Sequence, residues 1–428
     1  MASLDRPKLR PLSAKRFEHD GRLFVALEDP HRVIPQPILI PIEGYQRVVS
    51  QFDGRTTLVE IQARLFRESG EWISLSELEL FVLHLDRVMV LDGPTFEEFQ
   101  DTYRRERVRP AAFAGRSYAS TERALRSQLC QFFSHTQGAG WPISGSKLAS
   151  NRLRGILSPH IDFFRGGTTY TWSYKELIEH SDAEVFVILG VAHQYCRNRF
   201  ALTTKDFETP LGLVRTERSY VDQLAALAGS ELLDDELSHR TEHSIEFQVV
   251  FLQYLLSGLR EFSIVPILVG SFHDLMEARK DPIESPDVRR FVDALRAAES
   301  ACEKKVAYIG GIDLCHVGSQ FGDIGMVGPD QLEEVRQFDA TMLDRATARD
   351  PSGWFGTAAR INNRLRVCGL AATYTMLHAM GPASGRLLRY DQALDDERTC
   401  CVSFASVAFL APAESGSNLQ ADKQTDVG

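Results

Sequence analysis

The sequence contains no apolar run approaching the ~18 residues that a membrane span requires, and its basic start, MASLDRPKLRPLSAKR, is not followed by the apolar stretch of a secretory signal. Its seven cysteines are odd in number and irregular in spacing, which argues against a disulfide framework and fits a reducing compartment. A surplus of positive charge is also missing: 48 Lys and Arg stand against 58 Asp and Glu, a formal net charge of −10. The densest basic stretch, TYRRERVRP at 102–110, is broken by acid and reads as a solvated helix face or linker. These absences argue against a nucleic-acid surface, a membrane protein and a secreted scaffold. The expectation they leave is a soluble, cytoplasmic protein without internal repeats.

With 428 residues the chain exceeds the usual ceiling of one hydrophobic core, so a large domain with a smaller unit attached is expected. Residues 21–97 form the smaller unit: RLFVALEDP and PILIPI read as short strands, a DG step at 53–54 breaks a helical pattern, and SLSELELFVLHLDRVMVLDG opens on a capping box and closes in a short apolar run. Strands, two or three helices and a closing strand in that last run suggest a small winged-helix-like domain. Residues 98–140, rich in Glu, Arg and Gln, read as a helical connector, and the polar tail 414–428 as disordered. From 150 to 411, Val/Ile/Leu runs alternate with amphipathic helices, which predicts an α/β domain with a mostly parallel central sheet flanked by helices.

In an open α/β sheet, ligands collect beyond the carboxyl ends of the strands. Three predicted strands end in groups that bind metals or move protons. GILSPH ends at His160, VFVILGVAH at His193, and YIGGIDLCHVG carries Asp313 and His316. A single histidine after a strand signals little; three such ends meeting in one crevice could supply two neutral imidazoles to Fe(II), Cu or Zn, with a third ligand still needed. Cys368, at the predicted start of a helix in RLRVCGLAATYTML, is a candidate because a thiol near a helix N-terminus ionises readily, and its bland alternative is a small buried hydrophobe. Cys315 competes for that role or faces the core. Cys400 and Cys401 read as strand residues, His239 and His273 as surface or capping residues, and Tyr195 and Arg197 as possible contacts for an acidic substrate.

The segments SPHIDFFRGG, VILGVAHQ, TEHSIEFQVVFLQYL, GGIDLCHVGSQFG and VCGLAATYTML, in this order, resemble the Memo family, AmmeMemoRadiSam system protein B, over roughly residues 150–411. The resemblance implies a fold like that of class III extradiol ring-cleaving dioxygenases. It also implies metal ligands at His160, His193 and Cys368, with Asp313 and His316 lining the pocket and His243 and Glu246 on its EHSIE helix. His316 would then be the acid/base, oriented by Asp313, unless it is itself a ligand. Asp162, where this chain departs from the family's usual residues after the first histidine, is read as a second-shell or structural group that can pair with Arg165. Residues 21–97 similarly resemble PqqD-like domains, peptide-binding modules that accompany radical S-adenosylmethionine enzymes.

Together these resemblances imply a redox-active iron or copper protein of the dioxygenase-like oxidoreductase kind, with a radical SAM enzyme and an AMMECR-type protein as partners. The rival expectation is a non-catalytic adaptor that holds a peptide or a partner. Hydrolysis at zinc, with His316 or Asp313 activating water, is the third.

Overall fold

The computed structural model describes residues 4–70, 72–143 and 152–412. The tail 414–428 and the first residues of the predicted 150–411 domain lie outside them.

The chain begins with a three-stranded antiparallel sheet, β1 (Ser13–His19), β2 (Arg22–Glu28) and β3 (Ile38–Pro41). β1 and β2 turn at Asp20-Gly21, both at positive φ, as a two-residue hairpin requires. Helices α1 (Ile42–Arg47), α2 (Leu58–Ser69) and α3 (Leu75–Arg87) cover one face, burying Val25, Leu27, Ile40, Leu58, Ile61, Leu78 and Val82 in a core of their own. The capping box read at Ser74 and Glu77 is present at the start of α3, and Thr57 with Glu60 makes a second one on α2. Two details correct the sequence reading. The unit starts before residue 21, because β1 exposes every side chain and so shows no apolar alternation. The apolar run after α3 makes only an isolated bridge, Leu91 to Leu9, in place of a strand.

Helix α4 (Pro94–Arg105) crosses the expected boundary at 97 and carries the small domain onto the large one. Val33, Phe96 and Tyr103 pack against Leu237, and the buried Lys205 ammonium donates to the Tyr103 and Glu106 carbonyls at 2.6 and 2.5 Å, satisfying the end of α4. The connector then adds β4 (Val108–Arg109) to a small sheet with β8 (Asp206–Thr209) and β9 (Gly212–Val214), and forms α5 (Glu122–Ser134).

The large domain is an α/β fold built on an eight-stranded mixed sheet in the order β12-β14-β5-β11-β6-β10-β7, with β13 paired to β14. These strands are β5 (Leu153–Ser158), β6 (Val185–Val191), β7 (Phe200–Leu202), β10 (Ser263–Val269), β11 (Val306–Gly311), β12 (His316–Val317), β13 (Ser384–Leu394) and β14 (Cys401–Leu410). Only β5, β11, β6 and β10 are mutually parallel. The edges β7, β14, β13 and β12 run antiparallel, which corrects "mostly parallel" to mixed.

The apolar runs are continuous because both faces are covered. Val185, Val187 and Leu189 of β6 face α7 (Arg218–Ala228), α10 (Pro286–Ala301), α11 (Pro329–Thr347), α12 (Pro351–Ala359) and α13 (Leu370–Ala379). Phe186 and Ile188 face α5, α6 (Phe163–His180) and α8 (His243–Leu256), and the short α9 (His273–Glu277) follows β10. Among the described residues no helix is long and apolar enough to cross a membrane.

The strand order positions the site. β11 lies between β5 and β6, so their carboxyl ends are adjacent and deliver Asp313, His160 and His193 to the same edge. Helix α8 settles directly on these ends because Gly190 and Gly311 have no side chains. A Cβ at Gly311 would collide with the Ser244 carbonyl and the Gln248 side chain.

Candidate metal centre

Beyond β5 the chain runs through Pro159 to His160 and enters α6 at Asp162, whose carboxylate caps the Phe164 and Arg165 amides and pairs with Arg165 at 2.6 Å. His160 is 2% exposed. Its backbone amide donates to Asp313 Oδ1 at 2.9 Å, and its Nδ1 lies 2.9 Å from the Gly311 carbonyl. A carbonyl only accepts, so Nδ1 carries the proton and Nε2 presents a lone pair.

His193 follows β6 and His243 opens α8, and one carboxylate orients both. Glu242 lies with both oxygens 3.1 Å from His193 Nδ1 and with Oε1 3.2 Å from His243 Nδ1. It also accepts from the His193 and Ser244 amides, capping α8. The carboxylate fixes the His193 ring through Nδ1, the arrangement a carboxylate imposes on metal-binding imidazoles, and it lies beside Nδ1 of His243. Ring nitrogens of His160, His193 and His243 all lie within 4.8 Å of one another, and the ring centroids are 4.7–5.0 Å apart. Helix α8 fixes both loops from below. Ser244 Oγ accepts from the Val191 amide at 3.0 Å, and Gln248 donates to the Pro159 carbonyl at 2.8 Å.

Cys368 joins the same group from the other side: its Sγ is 3.3 Å from His160 Nε2. The sequence places this thiol at a helix start that should favour the thiolate. In the fold α13 begins two residues later, and burial pushes the thiol above its ordinary value while His193 pulls it back. The protonated thiol has two acceptors within reach, the Asp313 carbonyl at 3.4 Å and His160 Nε2 at 3.3 Å.

The electrostatics follow from burial and one anion. Burial, reinforced by the two neighbouring imidazoles, lowers His160 well below the usual histidine range. Burial also lowers His243, to about 4, against the pull of Glu242. Burial opposes charge on His193 too, but Glu242 and Cys368 overcome it and raise that ring well above the usual value. Burial alone would raise Glu242; His193 and His243 hold it well below the carboxylate range.

Asp313 and His316 line the same pocket, a cavity of about 530 Å³ that also takes in Asp162, Arg165 and Cys400. Burial raises Asp313 to about 7, against the His160 and Ile161 amides, and lowers His316 to about 4. The expected Asp313–His316 pairing is not formed. The turn after β11 sets His316 Nδ1 3.1 Å from the Leu314 carbonyl, while Asp313 turns to the His160 amide.

Glu246 does not reach the pocket: one turn into α8 it is buried with Arg109 as an ion pair, and it accepts from the Tyr118 hydroxyl and the Ala112 and Phe113 amides. Cys315 faces the core, with Sγ 3.1 Å from Asp339 Oδ1. Cys401 opens β14, with Cys400 immediately before it. Tyr195 and Arg197 line a separate cleft beside α10. His273 is on the surface, but His239 is buried with Nε2 on the Ala201 carbonyl, contrary to its expected exposure.

Sequence reasoning missed Glu242, Ser244 and Gln248. The signal for Glu242 was its position, next to His243 at the cap of a helix that must abut the strand ends.

Residues 109–408, which contain every residue of the histidine cluster together with Cys368, match the family model described as Memo-like protein. The chain belongs to the Memo-like family. Among curated relatives, a MEMO1 family protein of Aquifex aeolicus is 25% identical over 411 residues, covering 94% of this chain and 100% of the relative. That span includes much of the small N-terminal domain. A MEMO1 family protein of Methanopyrus kandleri is 28% identical over 308 residues, with 70% and 98% covered, and one of Thermococcus kodakarensis is 29% identical over 311 residues, with 71% and 99% covered. About 70% of this chain thus matches each of these two relatives over nearly its whole length.

Proposed function

We propose that this Memo-like protein is a metal-dependent, redox-active protein whose ion is held by His160, His193 and His243, with Cys368 as the adjoining sulfur donor. One observation carries the proposal: the three imidazoles converge with ring nitrogens within 4.8 Å of one another, the buried His160 held through Nδ1 on the Gly311 carbonyl and His193 through Nδ1 on Glu242. Nitrogen donors with a nearby thiol suit iron or copper. A bound ion of that kind would supply one-electron chemistry and polarise an oxygen-bearing substrate.

The chain's own groups would manage protons and solvent. His316, neutral at pH 7 because burial depresses it, can accept a proton, and Asp313 can hold one near neutrality. Phe113 and Phe247 pack on the His243 ring and keep that side of the pocket apolar. Dioxygenase-like oxidation is the reaction class we favour, by the resemblance in fold to extradiol ring-cleaving enzymes, with a cytoplasmic setting. The partner reading stays within the same proposal: a radical SAM enzyme, an AMMECR-type protein, and a peptide on the PqqD-like N-terminal domain.

Metal analysis of protein purified without oxygen tests the proposal. Near-stoichiometric iron or copper is expected in the wild type and less than a tenth of it in the His160→Ala, His193→Ala double variant. Equal, negligible metal in both would favour the adaptor, and stoichiometric, redox-silent zinc would favour hydrolysis.

A further inference from the structure

The small domain contributes to the wall of the metal pocket. Its loop after β2 is built around Asp29, which pairs with the buried Arg10 at 3.0 Å through both oxygens and accepts from the His31, Val33 and Ile34 amides, each at 3.0 Å. His31 Nδ1 then donates to Gln194 Oε1 at 3.0 Å, next to His193. Gln194 donates to the Thr241 carbonyl at 3.1 Å, and Arg240 reaches back to the His31 and Arg32 carbonyls. This clamp forces Arg32 into the left-handed region at φ 51°. A non-glycine residue pays for that conformation, and such strain persists only where the surroundings impose it.

Arg32 is thereby held where two cavities meet. Together with Thr241 it lines both the metal pocket and a larger cleft of about 920 Å³ between the domains. No carboxylate or carbonyl among the described residues pairs with its guanidinium. Around the cleft Arg116 is likewise unpaired, and Arg240 is spread over the Phe99 ring at 5.4 Å. Of the acids there, Glu28 is neutralised by Lys15 and Asp29 by Arg10, which leaves Glu106 against three guanidinium groups. In a chain with a net charge of −10, that is a local reversal of sign. Arg165, the cation inside the metal pocket, is already committed to Asp162.

We propose that the metal pocket and the interdomain cleft form one binding site, in which Arg32 of the small domain binds the anionic group of a carboxylate- or phosphate-bearing small molecule whose other end lies at the histidine cluster. The anion contact depends only on Arg32; placing the far end at a metal rests on the proposed function above. A planar guanidinium matches either oxyanion through two parallel N–H donors, whereas a neutral amide offers it one carbonyl oxygen and no charge.

Calorimetric titration of the full chain at low ionic strength with succinate, inorganic phosphate and neutral succinamide tests this. At least one anion is expected to bind the wild type, at least tenfold more weakly to Arg32→Gln, and with only part of the loss restored in Arg32→Lys, which keeps the charge but not the paired donors. Succinamide should not bind. The Arg32 side chain is exposed, so equal thermal midpoints should accompany these results. Binding of the anion should survive His193→Ala, which separates this inference from the metal proposal: a metal-free wild type with an intact Arg32 effect would sink only the latter. Unchanged affinity in Arg32→Gln, equal binding of succinamide, or no binding of either anion to the wild type would overturn it.

Discussion

Replacing Arg109 with Met is expected to destabilise the protein by about 3–5 kcal/mol, the range for removing one member of a buried ion pair. The guanidinium and the Glu246 carboxylate are both fully buried, so the variant would strand a carboxylate away from water. Arg109 also donates to the His239 carbonyl at 2.9 Å and to the Glu242 carbonyl at 2.8 Å, so its loss removes the brace under the backbone that leads into α8. Chemical denaturation followed by circular dichroism measures the effect. The double variant Arg109→Met, Glu246→Leu should recover part of the loss, because no unpaired charge is left behind. A single variant as stable as the wild type would show that this pair does not hold the connector to the large domain.

Glu242→Gln should weaken metal binding about 10- to 100-fold, the effect expected when a carboxylate orienting metal-binding histidines is lost. The amide is neutral and keeps one acceptor oxygen where His193 Nδ1 now faces both oxygens of an anion, so that ring would lose its charged partner and could flip or shift its proton to Nε2 and block its lone pair. Glu246→Gln serves as the contrast. It should reduce stability and leave metal affinity within about threefold, since Glu246 touches none of the three imidazoles. Competition with a chromophoric chelator distinguishes the two variants. In the metal-free protein the Glu242–His193 pair also sets a pH window. Its contribution is present between the depressed value of Glu242 and the raised value of His193, lost on the acid side as Glu242 protonates and on the alkaline side as His193 deprotonates.

The centre of the sheet was legible because β5, β6, β10 and β11 are buried on both faces, which leaves unbroken apolar runs whose ends are conspicuous when they turn polar. That is why His160, His193 and Asp313 could be placed in one crevice. The antiparallel edges were not legible: strand direction depends on how α11, α12 and α13 route the chain to β13 and β14, which local pattern does not carry. β1 was invisible for the opposite reason, since all of its side chains face solvent.

At the site, the helical spacing of His243 and Glu246 drew attention to the wrong carboxylate. A spacing of three says which residues share a face, but at the first turn the capping position points at the strand ends and the next turn points at Arg109. The role of the small domain had no sequence signal, because the Asp29 clamp exists only once its amides and Arg10 are brought together.

The central claim is that three imidazoles, one from a helix and two from strand ends, share one ion. Anomalous diffraction from crystals of the iron-loaded protein tests it most directly. The account predicts a single strong peak about 2.0–2.2 Å from Nε2 of His160, His193 and His243, with Nδ1 of His160 still on the Gly311 carbonyl and Nδ1 of His193 still on Glu242. A peak elsewhere in the chain, or one touched by none or only one of these rings, would contradict it.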